Sequence, residues 1–374
     1  MKKMKRYNPN TFNAMHAAVA FLLFLAMMEG VSHAFTRLFE AVYRSGRTVT
    51  DIVPYMCLQS VVIALGLAAI TIVMCLIARS NVLSGGGFLL RKGHGVEMLI
   101  AAVGTVGMAT LFSPLADSFS TSFEQLQRGL GLSSSSLDPE LIGSSGWLIL
   151  YAFLLSTVLP AIFEELLFRG VILRGFLQFG KAAAVILSAV LFALAHGNVD
   201  QLIYQFLLGA AMGYLYLETR NLAVCCVVHF TNNFFVTASS LIYSGAAERA
   251  GNTAVYLSIT EIMFVLIGAV CLISALIYFI KHAARSLKKP EQSHAEVCAM
   301  FVVPDPVFGP RTEETPWFST GRLATTDGEE KRFSLGGANS QRLNRGAKFL
   351  PVAIAFGVGL VWSIVGILLV FLGI

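Results

Sequence analysis

Charged residues are scarce in this chain of 374 residues. Asp, Glu, Lys and Arg together make up 13% of it, against about 25% in an average soluble protein. Hydrophobic residues make up 56%, and the mean hydropathy is +0.71. A water-soluble fold of this composition would have too little polar surface to cover its core. The scarcity of charge therefore excludes an ordinary soluble domain and predicts a protein that lies largely in lipid.

The signatures of several other protein classes are also missing. The six cysteines show no paired spacing and lie mostly in apolar runs, so no disulfide framework is predicted. Neither a GxGxxG nor a P-loop occurs in a suitable context, and no repeat of fixed period is present. The basic residues flank apolar segments, which suits anionic lipid better than nucleic acid. We therefore expect the lipid bilayer as a partner and no nucleic acid.

Long apolar runs are what the chain does have. About 20 residues of helix cross a membrane, and helices are expected because unpaired backbone is too costly in lipid. No segment alternates as the strands of a membrane barrel would. The predicted fold class is all-α, a multi-pass transmembrane bundle of about eight or nine helices with the site inside the bundle. The predicted spans fall near 14–38, 52–78, 97–115, 146–168, 182–197, 201–217, 222–243, 254–280 and 349–373.

The fifth and sixth of these runs are short, and a break at Gly197-Asn198 separates them. They either cross the membrane or lie partly buried in the bundle. The domain boundaries follow from the runs and the polar segments between them. We predict N-terminal membrane helices over 1–145 with an external loop near 116–145, a core over 146–243, a further helix in 244–280, a disordered polar cytoplasmic linker over 281–348 and a C-terminal helix over 349–374.

The placement of basic residues predicts the orientation of the chain. A cytoplasmic N-terminus puts most of the 27 Lys and Arg residues on the cytoplasmic side, as the positive-inside rule requires. The expected location is the plasma membrane. A cleaved signal peptide is an alternative for the first span, with Ser32-His33-Ala34 as the cleavage site, although the apolar pattern resumes beyond Glu29.

Ionisable residues inside apolar spans are costly and usually functional. Here they cluster in three short elements of the predicted core. These elements are Glu164-Glu165-Leu166-Leu167-Phe168-Arg169, then Phe192-Ala193-Leu194-Ala195-His196, and finally His229-Phe230-Thr231-Asn232-Asn233.

Helix geometry suggests roles within the first element. Neighbouring residues lie about 100° apart on a helix, so Glu164 and Glu165 cannot face one point. Glu165 and Arg169 are four residues apart with the acid first, which favours an ion pair on one face. Glu165 is thus a predicted structural partner of Arg169. Glu164 remains available to face the two histidines.

The other two elements supply imidazoles and an amide. His229 and Asn233 share one helical face, and His196 lies near the end of its span. Asn232, three residues after His229, leaves open which amide is used. A carboxylate, two imidazoles and an amide from three helices contain a base for water and donors for an oxyanion, which amide hydrolysis needs. Taken singly, the same residues could be interhelical hydrogen-bonding groups, and the phenylalanines could be packing residues.

The three elements resemble the E-E-x-x-x-R, F-x-x-x-H and H-x-x-x-N motifs of the CAAX-protease and bacteriocin-processing family of membrane proteins. The resemblance covers about 146–243 and includes Gln205 to Gly209, Gly213 and a turn at Thr219-Arg220-Asn221. It implies an intramembrane endopeptidase acting on a membrane-associated peptide or protein, of the CAAX type or in peptide processing. It also implies that Glu164 and His196 activate water, that His229 and Asn233 hold the oxyanion, and that Glu165 and Arg169 brace the site.

The family is often classed among metalloproteases, and His196, His229 and Glu164 could supply a His₂Glu zinc set. A zinc-bound Glu164 would require another general base, and the chain contains no H-E-x-x-H. We therefore expect that no cofactor is required, with zinc as the alternative. Other open classes are a haem protein with His196 and His229 as axial ligands, a transporter, and a catalytically silent immunity factor.

Overall fold

The described part of the chain is almost entirely helical. A computed structural model describes residues 12–44, 53–78, 95–129, 154–197, 199–219, 221–249, 254–287, 322–324, 330–332 and 352–361. Its only strands within these ranges, β1 (Arg322–Ala324) and β2 (Glu330–Arg332), pair in antiparallel fashion. They lie in the polar segment for which disorder is predicted.

Nine helices make up the rest of the described residues. The fourth helix is bracketed by two π-helical turns, Leu154–Val158 and Phe168–Leu173, and continues through Arg174–Phe176 to a 3₁₀ turn at Leu177–Phe179. The nine are α1 (Ala14–Arg44), α2 (Val53–Ile77), α3 (Gly95–Gly129), α4 (Leu159–Leu167), α5 (Lys181–Ala195), α6 (Val199–Thr219), α7 (Leu222–Arg249), α8 (Ala254–Leu287) and α9 (Val352–Val361).

Four of these helices are long and apolar enough to cross a membrane. The qualifying stretches are Ala14–Phe39, Pro54–Ile77, Gly95–Phe112 and Leu222–Ser239. Shorter apolar helices accompany them at Lys181–Ala195, Val265–Lys281 and Val352–Val361. The predicted fold class is confirmed, and the chain is an integral membrane protein.

Several helices extend beyond the apolar runs that predict them. α3 continues to Gly129, into the segment for which an external loop is predicted, and α8 continues to Leu287. The helical path through α4 runs on to Phe179 rather than ending at residue 168. Apolarity marks the part of a helix that lipid or protein must cover, whereas the helix itself lasts as long as its backbone remains hydrogen-bonded.

The first helix packs into the core. Phe21 and Phe24 of α1 are buried, and the Phe24 ring meets Phe168 edge-on at 5.6 Å between centroids. α1 also runs without a break through Ser32-His33-Ala34. Loss of α1 would expose this aromatic contact.

Two tight turns position the segments that carry the histidines. Gly197, with φ of 63°, ends the turn after α5 in the left-handed region that favours glycine. Asn221 begins α7, where its Oδ1 accepts a hydrogen bond of 3.1 Å from the backbone N–H of Ala223. The helix ends on either side agree with the predicted break near Gly197 and the predicted turn at 219–221, of which Asn198 and Arg220 lie outside the described residues. Consequently His196 lies at the end of α5, and His229 lies two turns into α7.

Candidate active site

A buried ion pair lies beneath the site. Arg169 Nη1 is 2.7 Å from Glu165 Oε1, and both side chains are enclosed in the core. Arg169 Nη2 also donates to the backbone carbonyl of Gly209 in α6, at 3.2 Å. The predicted pairing of Glu165 with Arg169 is therefore present. The second bond ties this pair to a neighbouring helix.

The backbone that carries Arg169 is π-helical. Residues Phe168–Leu173 form a π-helical turn directly after α4, and all six are buried. A π-helical turn inserts an extra residue into the helical register and often occurs at functional sites. Here it changes the direction in which the side chains after the two glutamates point. Phe168, the first residue of the turn, packs against the rings of Phe24 and Phe192.

His229 lies near both glutamates and is hydrogen-bonded to one of them. Its Nδ1 lies 2.9 Å from Glu165 Oε1, whereas its Nε2 lies 4.0 Å from Glu164 Oε2. Glu164 is thus near His229, and Glu165 is an additional partner of the same ring that its spacing to Arg169 does not indicate. The two carboxylates do point in different directions, but an imidazole has nitrogens on two edges of its ring. One ring can thus reach both.

The two glutamates differ sharply in exposure. The Glu165 side chain is fully enclosed, with none of its surface accessible, whereas 21% of the Glu164 side chain is accessible. Glu165 Oε1 accepts from both Arg169 and His229. Glu164 therefore has an open side from which water or a substrate can approach, and Glu165 does not.

His196 is held in one tautomer by the backbone. Its Nδ1 lies 2.9 Å from the carbonyl oxygen of Phe192, one turn earlier in α5. A carbonyl can only accept a hydrogen bond, so Nδ1 must carry the proton, and the Nε2 of neutral His196 is an acceptor. The ring also lies within electrostatic range of Glu164, His229 and Arg169. It can therefore accept a proton or a hydrogen bond at the site.

Phe192 joins the polar groups together and is more than a packing residue. Its ring meets His196 at 4.9 Å and His229 at 5.8 Å, in both cases edge to face. The Arg169 guanidinium carbon lies 4.6 Å from the ring centroid, and the Phe168 ring lies 5.1 Å away. One apolar ring thus keeps two imidazoles and a cation in fixed relative positions.

The amide end of the site involves more residues than the sequence indicates. Asn232 is only 4% exposed, and its Nδ2 donates to Asn233 Oδ1 at 3.1 Å. The hydroxyl of Tyr204, from α6, donates to Asn232 Oδ1. The sequence does not single out Tyr204, because tyrosine is common at membrane interfaces. Its hydrogen-bond partner is 28 residues away, on another helix.

The side chains of the described residues do not group as a metal site. No three His, Cys, Asp or Glu residues among them lie close enough together to hold a metal ion. In its neutral form, each histidine would carry its proton on Nδ1 and leave Nε2 unprotonated. An unprotonated ring nitrogen is what a metal would need as a ligand. His229 Nε2 and Glu164 Oε2 are 4.0 Å apart. His196 does not lie close enough to these two groups to form a three-ligand metal site with them.

The fold and this cluster define a class, a helical membrane protein with an acid–histidine–amide site inside its bundle. A family model described as "Rce1-like: Type II CAAX prenyl endopeptidase Rce1-like" matches residues 146–235. The predicted resemblance to this protease family is thereby confirmed for the segment that carries all three motifs. No curated protein and no solved structure matches the chain.

Proposed function

We propose that the protein is an intramembrane endopeptidase that hydrolyses a peptide bond in a membrane-associated peptide or protein. Water adds its oxygen to the scissile carbonyl carbon, the C–N bond breaks, and the departing amine takes up the proton removed from water. The family match over 146–235 supports this reaction class. The cluster supplies the two requirements of the reaction, a base and donors for the oxyanion.

The observation that carries the proposal is the different exposure of the paired glutamates. Glu164 is open to the site, at 21% side-chain exposure, and lies near His229. We assign Glu164 as the base that takes a proton from water. His196, whose Nε2 is an acceptor, holds that water from a second direction. Glu165, enclosed and already bonded twice, braces Arg169 and His229 instead.

The charges of the cluster suggest how His229 acts. With both glutamates ionised, Arg169 balances only one of them, and an unbalanced buried charge is costly. To donate to an oxyanion while it is bonded to Glu165, His229 must carry a proton on each ring nitrogen, which would also neutralise the set. Nδ1–H then donates to Glu165, and Nε2–H remains available for the oxyanion beside the Asn233 amide. We therefore assign His229 and Asn233 as oxyanion donors.

Metal-free hydrolysis is part of the proposal. Glu164 cannot readily be both a metal ligand and the base, and the neighbouring acid Glu165 is committed to its two hydrogen bonds. Without a metal, Glu164 itself serves as the base. No step of the proposed reaction requires an ion.

The proposed substrate belongs to the membrane. The resemblance favours a CAAX-type peptide, prenylated in cells that prenylate proteins, with bacteriocin or other peptide processing as the second candidate. The site lies among helices that lipid surrounds, so a lipid-anchored or amphipathic peptide can reach it within the bilayer. We place the protein in the plasma membrane with the N-terminus in the cytoplasm.

Comparative proteomics tests this function. Membrane peptides would be compared between cells that carry the wild type and cells that carry Glu164→Ala, at matched abundance of the two proteins. We expect a small set of cleaved termini to disappear in the variant. Substitution of Glu97, an acid of α3 outside the cluster, serves as the matched control. Identical peptide sets in wild type and Glu164→Ala would rule out Glu164-dependent proteolysis in those cells.

A further inference from the structure

A chain of donated hydrogen bonds leads from α6 to the proposed oxyanion donor. The Tyr204 hydroxyl donates to Asn232 Oδ1, and Asn232 Nδ2 donates to Asn233 Oδ1 at 3.1 Å. Tyr204 and Asn232 are 28 residues apart in sequence, so this contact links two helices. The three residues belong to none of the ion pairs described above.

The direction of these bonds determines how each amide is turned. A side-chain amide has an accepting oxygen and a donating nitrogen, and the two can be exchanged by a flip. With the Tyr204 hydroxyl as the donor, the oxygen of Asn232 faces α6 and its nitrogen faces Asn233. The oxygen of Asn233 is then occupied, so its Nδ2 is the part left to donate elsewhere. That is the group an oxyanion needs.

The parts of this chain are themselves held in place. Asn232 is nearly enclosed, with 4% exposure. The Tyr204 ring packs against Phe112 of α3, with 5.9 Å between the ring centroids. Asn233 follows His229 by one helical turn on the same face of α7. The ring that carries the hydroxyl is thus held by a third helix, and the four-residue spacing puts Asn233 on the face of α7 that carries His229.

We propose that Tyr204 and Asn232 are positioning residues for catalysis, acting through the amide of Asn233. The proposal rests on the proposed function and adds two residues to it. It also addresses the question that the sequence leaves open, since it makes Asn233 the donating amide and Asn232 the residue that orients it.

Conservative variants separate positioning from structure. Tyr204→Phe removes only the hydroxyl. Asn232→Asp keeps an acceptor for that hydroxyl but removes the N–H that donates to Asn233. Tyr214→Phe is the matched control, because its buried hydroxyl lies on the same helix and has no hydrogen-bond partner among the described residues.

The full-length protein would be purified in detergent, and kcat, KM and Tm would be measured with a fluorogenic farnesylated CaaX peptide as the probe. Tyr204→Phe should lower kcat about three- to tenfold, the effect of one lost hydrogen bond, with KM unchanged. Asn232→Asp should lower it further, toward the loss of about 10²- to 10³-fold expected of Asn233→Ala. Tyr214→Phe should match the wild type.

A double variant gives the decisive readout. If the hydroxyl acts only through Asn233, Tyr204→Phe has no further effect on kcat in an Asn233→Ala background. A multiplicative loss in that background would overturn the proposal, as would wild-type kcat in both Tyr204→Phe and Asn232→Asp. If Asn233→Ala and Glu164→Ala both retain activity, the proposed function fails and the positioning role fails with it.

A second measurement does not depend on the substrate. In protein labelled with ¹⁵N on asparagine side chains, the Asn233 amide signal can be assigned by its loss in Asn233→Ala. Tyr204→Phe should shift or broaden that signal, whereas Tyr214→Phe should leave it in place. An unchanged Asn233 signal in Tyr204→Phe would overturn the proposal even if the wild type does not cleave the probe peptide.

Discussion

Glu164 and Glu165 are identical side chains on adjacent residues, and their surroundings differ. Glu165 is enclosed and accepts hydrogen bonds from Arg169 and His229, whereas Glu164 is partly open. In a bundle interior, a charge that loses its partner remains desolvated and unbalanced, so the enclosed glutamate is expected to matter most for folding. The open one is expected to matter most for chemistry.

This division predicts two different phenotypes. Glu164→Ala should lower kcat by about 10²- to 10⁴-fold, the usual contribution of a general base, while the protein still accumulates. Glu165→Ala should lower the free energy of unfolding by about 3–5 kcal/mol, because it leaves Arg169 without its carboxylate. Membrane abundance and peptide cleavage, measured together for both variants, check this. Equal accumulation and equal loss of activity would contradict the division.

Metal removal is a further test at the residue scale. We expect purified enzyme to keep its activity after treatment with chelator and dialysis, and to contain much less than one zinc per chain, because Glu164 can act as the base without an ion. Activity measurement and elemental analysis on the same sample check this. Loss of activity on chelation that only added zinc restores would make His196, His229 and Glu164 metal ligands.

At the scale of elements, the position of the site depends on a close helix contact. Gly175, just after the π-helical turn, lies against the start of α1. A Cβ added there would come within 2.6 Å of the Asn13 carbonyl oxygen and 2.8 Å of Ala17 Cβ. No larger side chain fits unless α1 moves away. The contact therefore holds the segment that carries Arg169 against the first helix.

Gly175→Ala should consequently destabilise the protein by about 1–3 kcal/mol, as overpacking of a tight contact does. A lower Tm of the purified protein in detergent would show this. Gly30→Ala is the matched control, because no atom lies within 4 Å of a Cβ added there. If both variants melt at the wild-type temperature, the contact between α1 and this segment is looser than described.

The helix ends show why apolar runs alone misplace element boundaries. α3 runs on to Gly129 and the path through α4 to Phe179, both beyond the predicted spans. The breaks between helices can be predicted better than the helix ends, because each contains a residue that favours a break whatever the surrounding sequence. These residues are Gly197 and Asn221. A left-handed glycine and an asparagine cap act within a few residues. Breaks with such signals were predictable, whereas helix extensions were not.

At the scale of the whole molecule, the orientation in the membrane is the main prediction. A reporter fused at residue 300 should be cytoplasmic and one at residue 130 external, because this arrangement keeps most basic residues on the cytoplasmic side. Paired alkaline phosphatase and fluorescent protein fusions at both sites check this. If both positions report the same side, the number of crossings between them is even, whereas the predicted spans between them number five, and the predicted set of spans is wrong.

The sequence by itself determined the class of the molecule and indicated the three elements from which the site is proposed. Scarce charge and recurring apolar runs require a helical membrane bundle. A chain this apolar has too little polar surface to fold in water, and in lipid its backbone must be hydrogen-bonded within helices. Spacing of four residues places Glu165 beside Arg169, because that distance is one helical turn. These conclusions depend on composition and local periodicity, which can be read along the chain.

Only the tertiary structure determined which of these side chains contact one another across different helices. That His229 reaches both glutamates, that Phe192 touches both histidines, and that Tyr204 bonds to Asn232 are contacts between different helices. Such contacts depend on the rotation and depth of each helix in the bundle. Those are determined by the packing of many side chains at once, so no local spacing in the sequence contains them.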